Sequence, residues 1–200
     1  MSPQRLIISM SGASGQIVGI RILEMLRDAP DIETHLVVSQ AARITIAQET
    51  DVTPAQVEAL ADVVYRPGDI GAAIASGSFA VSGMIVAPCS IKTLSAIAHS
   101  YASDLITRAA DVQLKEGRPL LLVVRETPLH LGHLRLMTQA AEMGAVIFPP
   151  VPAFYAHPAS LDEMVTHTAG RILARIGIPN AAYPEWRGMG IPGERTDSND

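Results

Sequence analysis

Short apolar runs, each ending in small or polar residues and followed by a helical pattern, constrain this chain more than any other feature. Leu6 to Met10 runs into Ser11-Gly12-Ala13-Ser14-Gly15, after which Ile17, Ile20, Leu23 and Leu26 recur at helical spacing until Pro30. His35 to Val38 gives way to Ser39 and a helical stretch reaching about Glu49. Thr53-Pro54 restarts a helix, with Thr53 as N-cap and Pro54 at the first helical position. Val63 to Tyr65 reads as a short edge strand and Asp69 to Ala75 as a short helix. Met84 to Ala87 then leads into Pro88-Cys89-Ser90, with a helix from near Ser90 and another over Ala109 to Lys115. Leu120 to Val124 is wholly apolar, as expected of a strand covered on both faces. Leu131 to Met143 is helical, and Ala145 to Phe148 is the last buried strand, stopped by Pro149-Pro150. Ser160-Leu161-Asp162-Glu163 has a capping-box pattern and opens a final helix to about Ile176.

This alternation predicts an α/β fold of three layers, a central parallel sheet with helices on both faces. We expect a single domain over residues 1–187 and, where the chain turns polar and Gly/Pro-rich, a disordered tail over residues 188–200. The 200 residues are 48% hydrophobic and only 18% charged, which predicts that self-association hides part of the surface. A net charge of −5 argues against the basic face of a nucleic-acid binder. The one cysteine, Cys89, cannot form an internal disulfide and suits a reducing compartment. Signal-peptide order and membrane-length apolar runs are both missing from the sequence, so we expect a soluble, cytoplasmic protein.

In doubly wound sheets, ligands bind beyond the carboxyl ends of the strands. That rule selects Gly12 to Gly15, Ser39, Pro88 to Thr93, and Arg125-Glu126, each directly after an apolar run. The glycine turn suits an anion at a helix N-terminus, but tight strand-to-helix turns also use Gly for geometry alone. It is not a GxGxxG fingerprint, and Ser39 stands where a dinucleotide site would place an acidic group, so a mononucleotide is favoured over NAD. Ser90, Ile91, Lys92 and Thr93 form a second anion cradle, unless Ser90 is only an N-cap. Cys89 reads as a packing residue. Arg125 offers paired donors to a phosphate. Arg108, Lys115 and Arg171 either join it or are solvated helix charges, and Glu49 has the same ordinary alternative. His130 and His133 share a helix face without carboxylate or thiolate company, which favours a surface or capping role and no metal site.

The motifs, taken in order, resemble the UbiX-type flavin prenyltransferases. SGASG at residues 11–15, ETHLVVS at 33–39, ETD at 49–51 and ASGS at 75–78 match. PCSIKTLSAIAHS at 88–100, RAADVQLKEGRPLLLVVRETPLHLGHLRLM at 108–137 and GAVIFPPVPAFY at 144–155 complete the series. The resemblance implies a Rossmann-like sheet of order 3-2-1-4-5-6 and a homo-oligomer, typically a dodecamer, with sites where subunits meet. It implies reduced FMN as acceptor, dimethylallyl phosphate as donor, no metal, and delivery of prenylated FMN to a UbiD-type decarboxylase, often for ubiquinone synthesis. Carried over, Gly12, Ala13, Ser14, Ser39, Ser90, Ile91, Lys92, Thr93 and Arg125 contact FMN. Lys115, Arg125, Tyr155 and Arg171 hold the donor phosphate. Glu126 protonates the departing phosphate, Glu49 assists proton movement near the flavin, and Ser14 bonds close to N5. Rival expectations are an FMN-dependent decarboxylase of cysteinyl groups, a non-catalytic flavin carrier subunit and, more weakly, an NAD-dependent oxidoreductase.

Overall fold

A computed structural model describes residues 3–186 and residue 188. Its elements, in chain order, are β1 (Gln4–Met10), α1 (Gln16–Arg27), β2 (Ile32–Val38), α2 (Gln40–Glu49), α3 (Pro54–Glu58) and β3 (Val63–Tyr65). They continue as β4 (Gly83–Cys89), α4 (Ile91–Ala98), α5 (Leu105–Lys115), β5 (Leu120–Val124), α6 (Leu131–Glu142), β6 (Val146–Ile147) and α7 (Leu161–Arg175). The six strands form one sheet of order β3-β2-β1-β4-β5-β6. Every pairing is parallel.

The alternation of side chains along a strand divides the core in two. Leu6, Ile8 and Met10 of β1 join Ile85, Leu121 and Val123 on one face, under Val18, Ile22 and Leu23 of α1 and Ala169 and Ile172 of α7. Ile7, Met84, Val86, Leu120 and Leu122 point to the other face, under Leu94 and Ile97 of α4 and Leu105, Ile106 and Ala109 of α5. Every residue of β4 and β5 is buried, which is why those segments are nearly unbroken apolar runs in the sequence. Gly19 lets α1 close on β4, because a Cβ there would overlap the Ala87 carbonyl and crowd the Met10 methyl. Arg21 ties α1 to α7, pairing with Asp162 at 2.5 Å and bonding the Thr166 hydroxyl.

Three expectations need correction. The last strand is an edge strand of two half-buried residues, not a buried one, because only β5 pairs with it. The helix expected over 69–75 contracts to one 3-10 turn, Ala73–Ala75, in a segment punctuated by Gly68 and Gly71. At Ser160 the capping box is only half made. Its hydroxyl accepts the Glu163 amide at 3.1 Å, but the Glu163 carboxylate accepts the Ala159 amide, one residue before the cap. Apart from Gly188, the expected tail lies outside the described residues.

Candidate functional site

The carboxyl ends of β1, β2, β4 and β5 open onto a cleft of about 450 Å³, within the ~300–1,000 Å³ usual for small-ligand sites. Of the residues selected from the sequence, Gly12, Ser39, Ser90, Ile91, Lys92, Thr93 and Glu126 line it, whereas Ala13, Ser14 and Arg125 do not. Pro67, Asp104 and Ile106 also line it, and sequence reasoning missed them because they reach the sheet end from loops and helices far along the chain.

Helix capping builds two walls of this cleft. The Ser39 hydroxyl accepts the Ala42 amide at 3.0 Å and so starts α2. The Ser90 hydroxyl accepts the Thr93 amide at 3.3 Å and donates to the Thr93 hydroxyl at 3.1 Å, which starts α4. Both serines are therefore caps and cleft residues at once. Among the described residues, the amides of Ile91 and Lys92 bond no protein acceptor. They are the first amides of α4 and carry its positive dipole end, which suits an anionic ligand group.

At the glycine turn the structure changes the expectation. The Glu49 carboxylate, 34 residues onward, accepts the Gly15 amide at 2.8 Å and the Gln16 amide at 3.4 Å. The start of α1 thus holds an anion supplied by the protein itself. Burial opposes the Glu49 charge, but the Ser14 hydroxyl, these two amides and the nearby Arg125 charge together hold its carboxyl below the usual carboxylate range. Glu49, Ser14 and Arg125 therefore lie near one another at the glycine turn, whose Gly12 lines the cleft. The turn's glycines have geometric reasons of their own. Gly15 adopts φ +93°, and a Cβ on Gly12 would overlap that of Ala41 in α2.

Tyr155 and Arg171 line a second pocket of about 230 Å³ with Phe148, Val151, His167 and Tyr183. The Arg171 guanidinium lies 5.0 Å over the Tyr183 ring, and the Tyr155 ring meets Trp186 edge-on at 5.1 Å. Lys115 does not join them within one chain. It closes α5, on the opposite face of the sheet from α7, and pairs with Glu116 beside Gly77. Arg108, on the same helix, donates to the Ala75 carbonyl at 3.2 Å and pairs with Asp111 at 2.9 Å.

Cys89 is fully buried, which pushes its thiol up to about 12 and suits packing rather than nucleophilic attack. His130 caps α6 by accepting the Gly132 amide at 3.0 Å, with the His133 ring 3.6 Å away. Among the described residues, no group of three His, Cys, Asp or Glu side chains is placed to hold a metal ion, and no helix is long and apolar enough to cross a membrane.

A family model described as Flavoprotein matches residues 1–172. The flavin prenyltransferase UbiX of Escherichia coli (strain K12) is 61% identical over 187 residues, covering 92% of this chain and 99% of that protein. The chain belongs to the UbiX family of flavoproteins. Family likeness extends to the backbone. A crystal structure of AnUbiX (PadA1) in complex with FMN and dimethylallyl pyrophosphate is similar with a TM-score of 0.92 at 47% identity, covering 94% of this chain and 100% of that one. A dodecameric FMN-dependent Ubix-like decarboxylase from Escherichia coli O157:H7 gives a TM-score of 0.90 at 47% identity, covering 92% and 100%. The UbiX-family sheet order, 3-2-1-4-5-6, is the one this sequence leads one to expect.

Proposed function

We propose that this UbiX-family protein is a flavin prenyltransferase, joining the dimethylallyl group of dimethylallyl phosphate to reduced FMN. The observation that carries the reading is the meeting of Glu49, Ser14 and Arg125 beside a cleft whose far wall is the uncommitted N-terminus of α4. An aromatic ligand with an anionic tail fits such a site, because the cleft is partly apolar and its bonding groups are amides and hydroxyls. Reduced FMN brings the electron-rich N5 and C6 positions that accept the carbon fragment.

In this reading Gly12, Ala13, Ser14 and Ser39 hold FMN from one side, while Ser90, Ile91, Lys92, Thr93 and Arg125 hold it from the other. Ser14, fixed by Glu49, presents its hydroxyl near N5. Glu49 is ionised at neutral pH and is therefore poised to accept a proton rather than to give one. Lys115, Arg125, Tyr155 and Arg171 neutralise the departing phosphate, which is a poor leaving group while its charge is uncompensated. Glu126 gives it a proton. Because Lys115 lies across the sheet from Tyr155 and Arg171, a second copy of the chain completes the phosphate grip. A dodecamer with sites at subunit contacts accounts for this division. The reading places the reaction in the cytoplasm and passes prenylated FMN to a UbiD-type decarboxylase.

Release of inorganic phosphate from dimethylallyl phosphate tests it. Release is expected with reduced FMN, one phosphate per flavin consumed, and not when flavin is omitted. Release that ignores the flavin, or no release at all, would overturn the reading.

A further inference from the structure

Ser11, the residue that joins β1 to the glycine turn, has its side chain committed to another part of the molecule. It is 1% exposed. Its hydroxyl donates to the Pro88 carbonyl at 2.9 Å and accepts the Ser90 amide at 2.8 Å. Its own amide donates to the same Pro88 carbonyl at 3.1 Å. These bonds span 77 and 79 residues of sequence.

They fall just past the last residue pair of the β1–β4 register. The β1–β4 register runs from Leu6 opposite Gly83 to Ser9 opposite Val86 and goes no further. Beyond Val86, β4 shifts its register against β5 before Cys89 pairs with Val124. Beyond the β1–β4 register the ends of β1 and β4, each carrying one wall of the cleft, are joined by the backbone bond from the Ser11 amide to the Pro88 carbonyl. The Ser11 hydroxyl reinforces that bond, accepting from the Ser90 amide and donating to the Pro88 carbonyl.

Gln16 braces the same turn from beneath. It is fully buried, and its side-chain amide donates to the Ser11 carbonyl at 2.8 Å and the Ala13 carbonyl at 2.7 Å. The Ser11–Ala13 backbone is thus held by Gln16 inside and joined to Pro88–Ser90 through Ser11. Neither side chain lines the cleft.

We propose that Ser11 is a positioning residue, supported by Gln16, which fixes the distance between the glycine turn and the α4 N-terminus so that one flavin nucleotide engages both. The inference rests on the FMN-binding reading above. Its physical basis is that a ligand spanning two walls gains the full benefit of both only when their spacing is preset. Without the Ser11 hydroxyl, the Ser90 amide loses its buried partner, the Pro88 carbonyl keeps only the Ser11 amide, and the spacing of the walls is held less tightly.

The test compares FMN with riboflavin, which lacks the phosphate, by flavin fluorescence titration of the full chain. Thermal unfolding of the ligand-free protein is followed alongside. In Ser11→Ala, the affinity ratio of FMN over riboflavin is expected to fall about tenfold, as one buried hydrogen-bond link is lost. Ser11→Thr, which keeps a hydroxyl, is expected to restore part of the ratio. Gln16→Met is expected to lower the ratio in the same direction, and it serves as the deciding variant if Ser11→Ala does not fold. A purely structural role would lower the unfolding midpoint and leave the ratio unchanged. An unchanged ratio in the folded variants would therefore overturn the proposal. If the unaltered protein bound no FMN, the functional reading itself would fail, and that outcome is separate from this one.

Discussion

At the scale of single residues, the proposed chemistry turns on Glu49. Its carboxylate caps the start of α1 and lies close to the Arg125 charge, so its pKa stands below the ordinary value near 4.5. A depressed carboxylate contributes stability that is present above its unfolded value and is lost as pH falls through its lower folded value. For the rate, a folded protein that keeps Glu49 ionised to lower pH should place the acidic limb of the profile below the usual carboxylate range. Glu49→Gln should remove that limb and lower the rate by about a hundredfold or more, measured as initial rate against pH. None of this geometry was legible locally, since Glu49 at the end of a helix reads as a solvated charge. The contact is made by the folded chain across 34 residues, and no periodicity records it. Ser39 and Ser90 were legible because the helix-capping pattern that starts a helix also places a hydroxyl at the end of a strand.

Among elements, α1 is held by two contacts that the sequence only half declares. Gly19 follows the glycine turn by one helical turn in the sequence, and in the structure it is where α1 touches β4. Gly19→Ala should cost about 1–3 kcal/mol by overpacking, read as a shift in the denaturant midpoint at unchanged slope. One strand in from the sheet edge, His35 of β2 is buried between the Glu33 carboxylate at 2.7 Å and the Tyr65 hydroxyl at 3.0 Å. Burial pushes its imidazole below the ordinary 6.5, against the opposing pull of Glu33. The stability linked to neutral His35 is present above about pH 6.5 and is lost as pH falls through the lowered value. The unfolding midpoint should drop with acidification in that window, and His35→Gln should flatten the drop. The strands β1, β4 and β5 were plain in the sequence because burial on both faces demands continuous apolar runs. β6 was over-read because the same composition also suits an edge strand half-covered by a neighbouring helix.

For the whole molecule, the outward apolar surface and the proposed division of the phosphate grip between two copies point to the same assembly. Of α6, only Ala140 is buried, while Leu131 and Leu134 face outward. Val151, Phe154 and Leu161 are exposed as well. The low charge content of the sequence anticipated such surface, though not which helix would carry it. If two copies share one site, Lys115→Ala and Arg171→Ala should each be inactive, yet mixed oligomers from co-expression should regain part of the rate. No recovery in verified mixed oligomers would place both side chains in the same protomer's site. The central claim is tested most directly by the mass of the flavin itself, after anaerobic incubation of the protein with reduced FMN and dimethylallyl phosphate. A flavin heavier by one five-carbon unsaturated unit is the expected result. Recovery of unaltered FMN from folded, flavin-bound protein would contradict it.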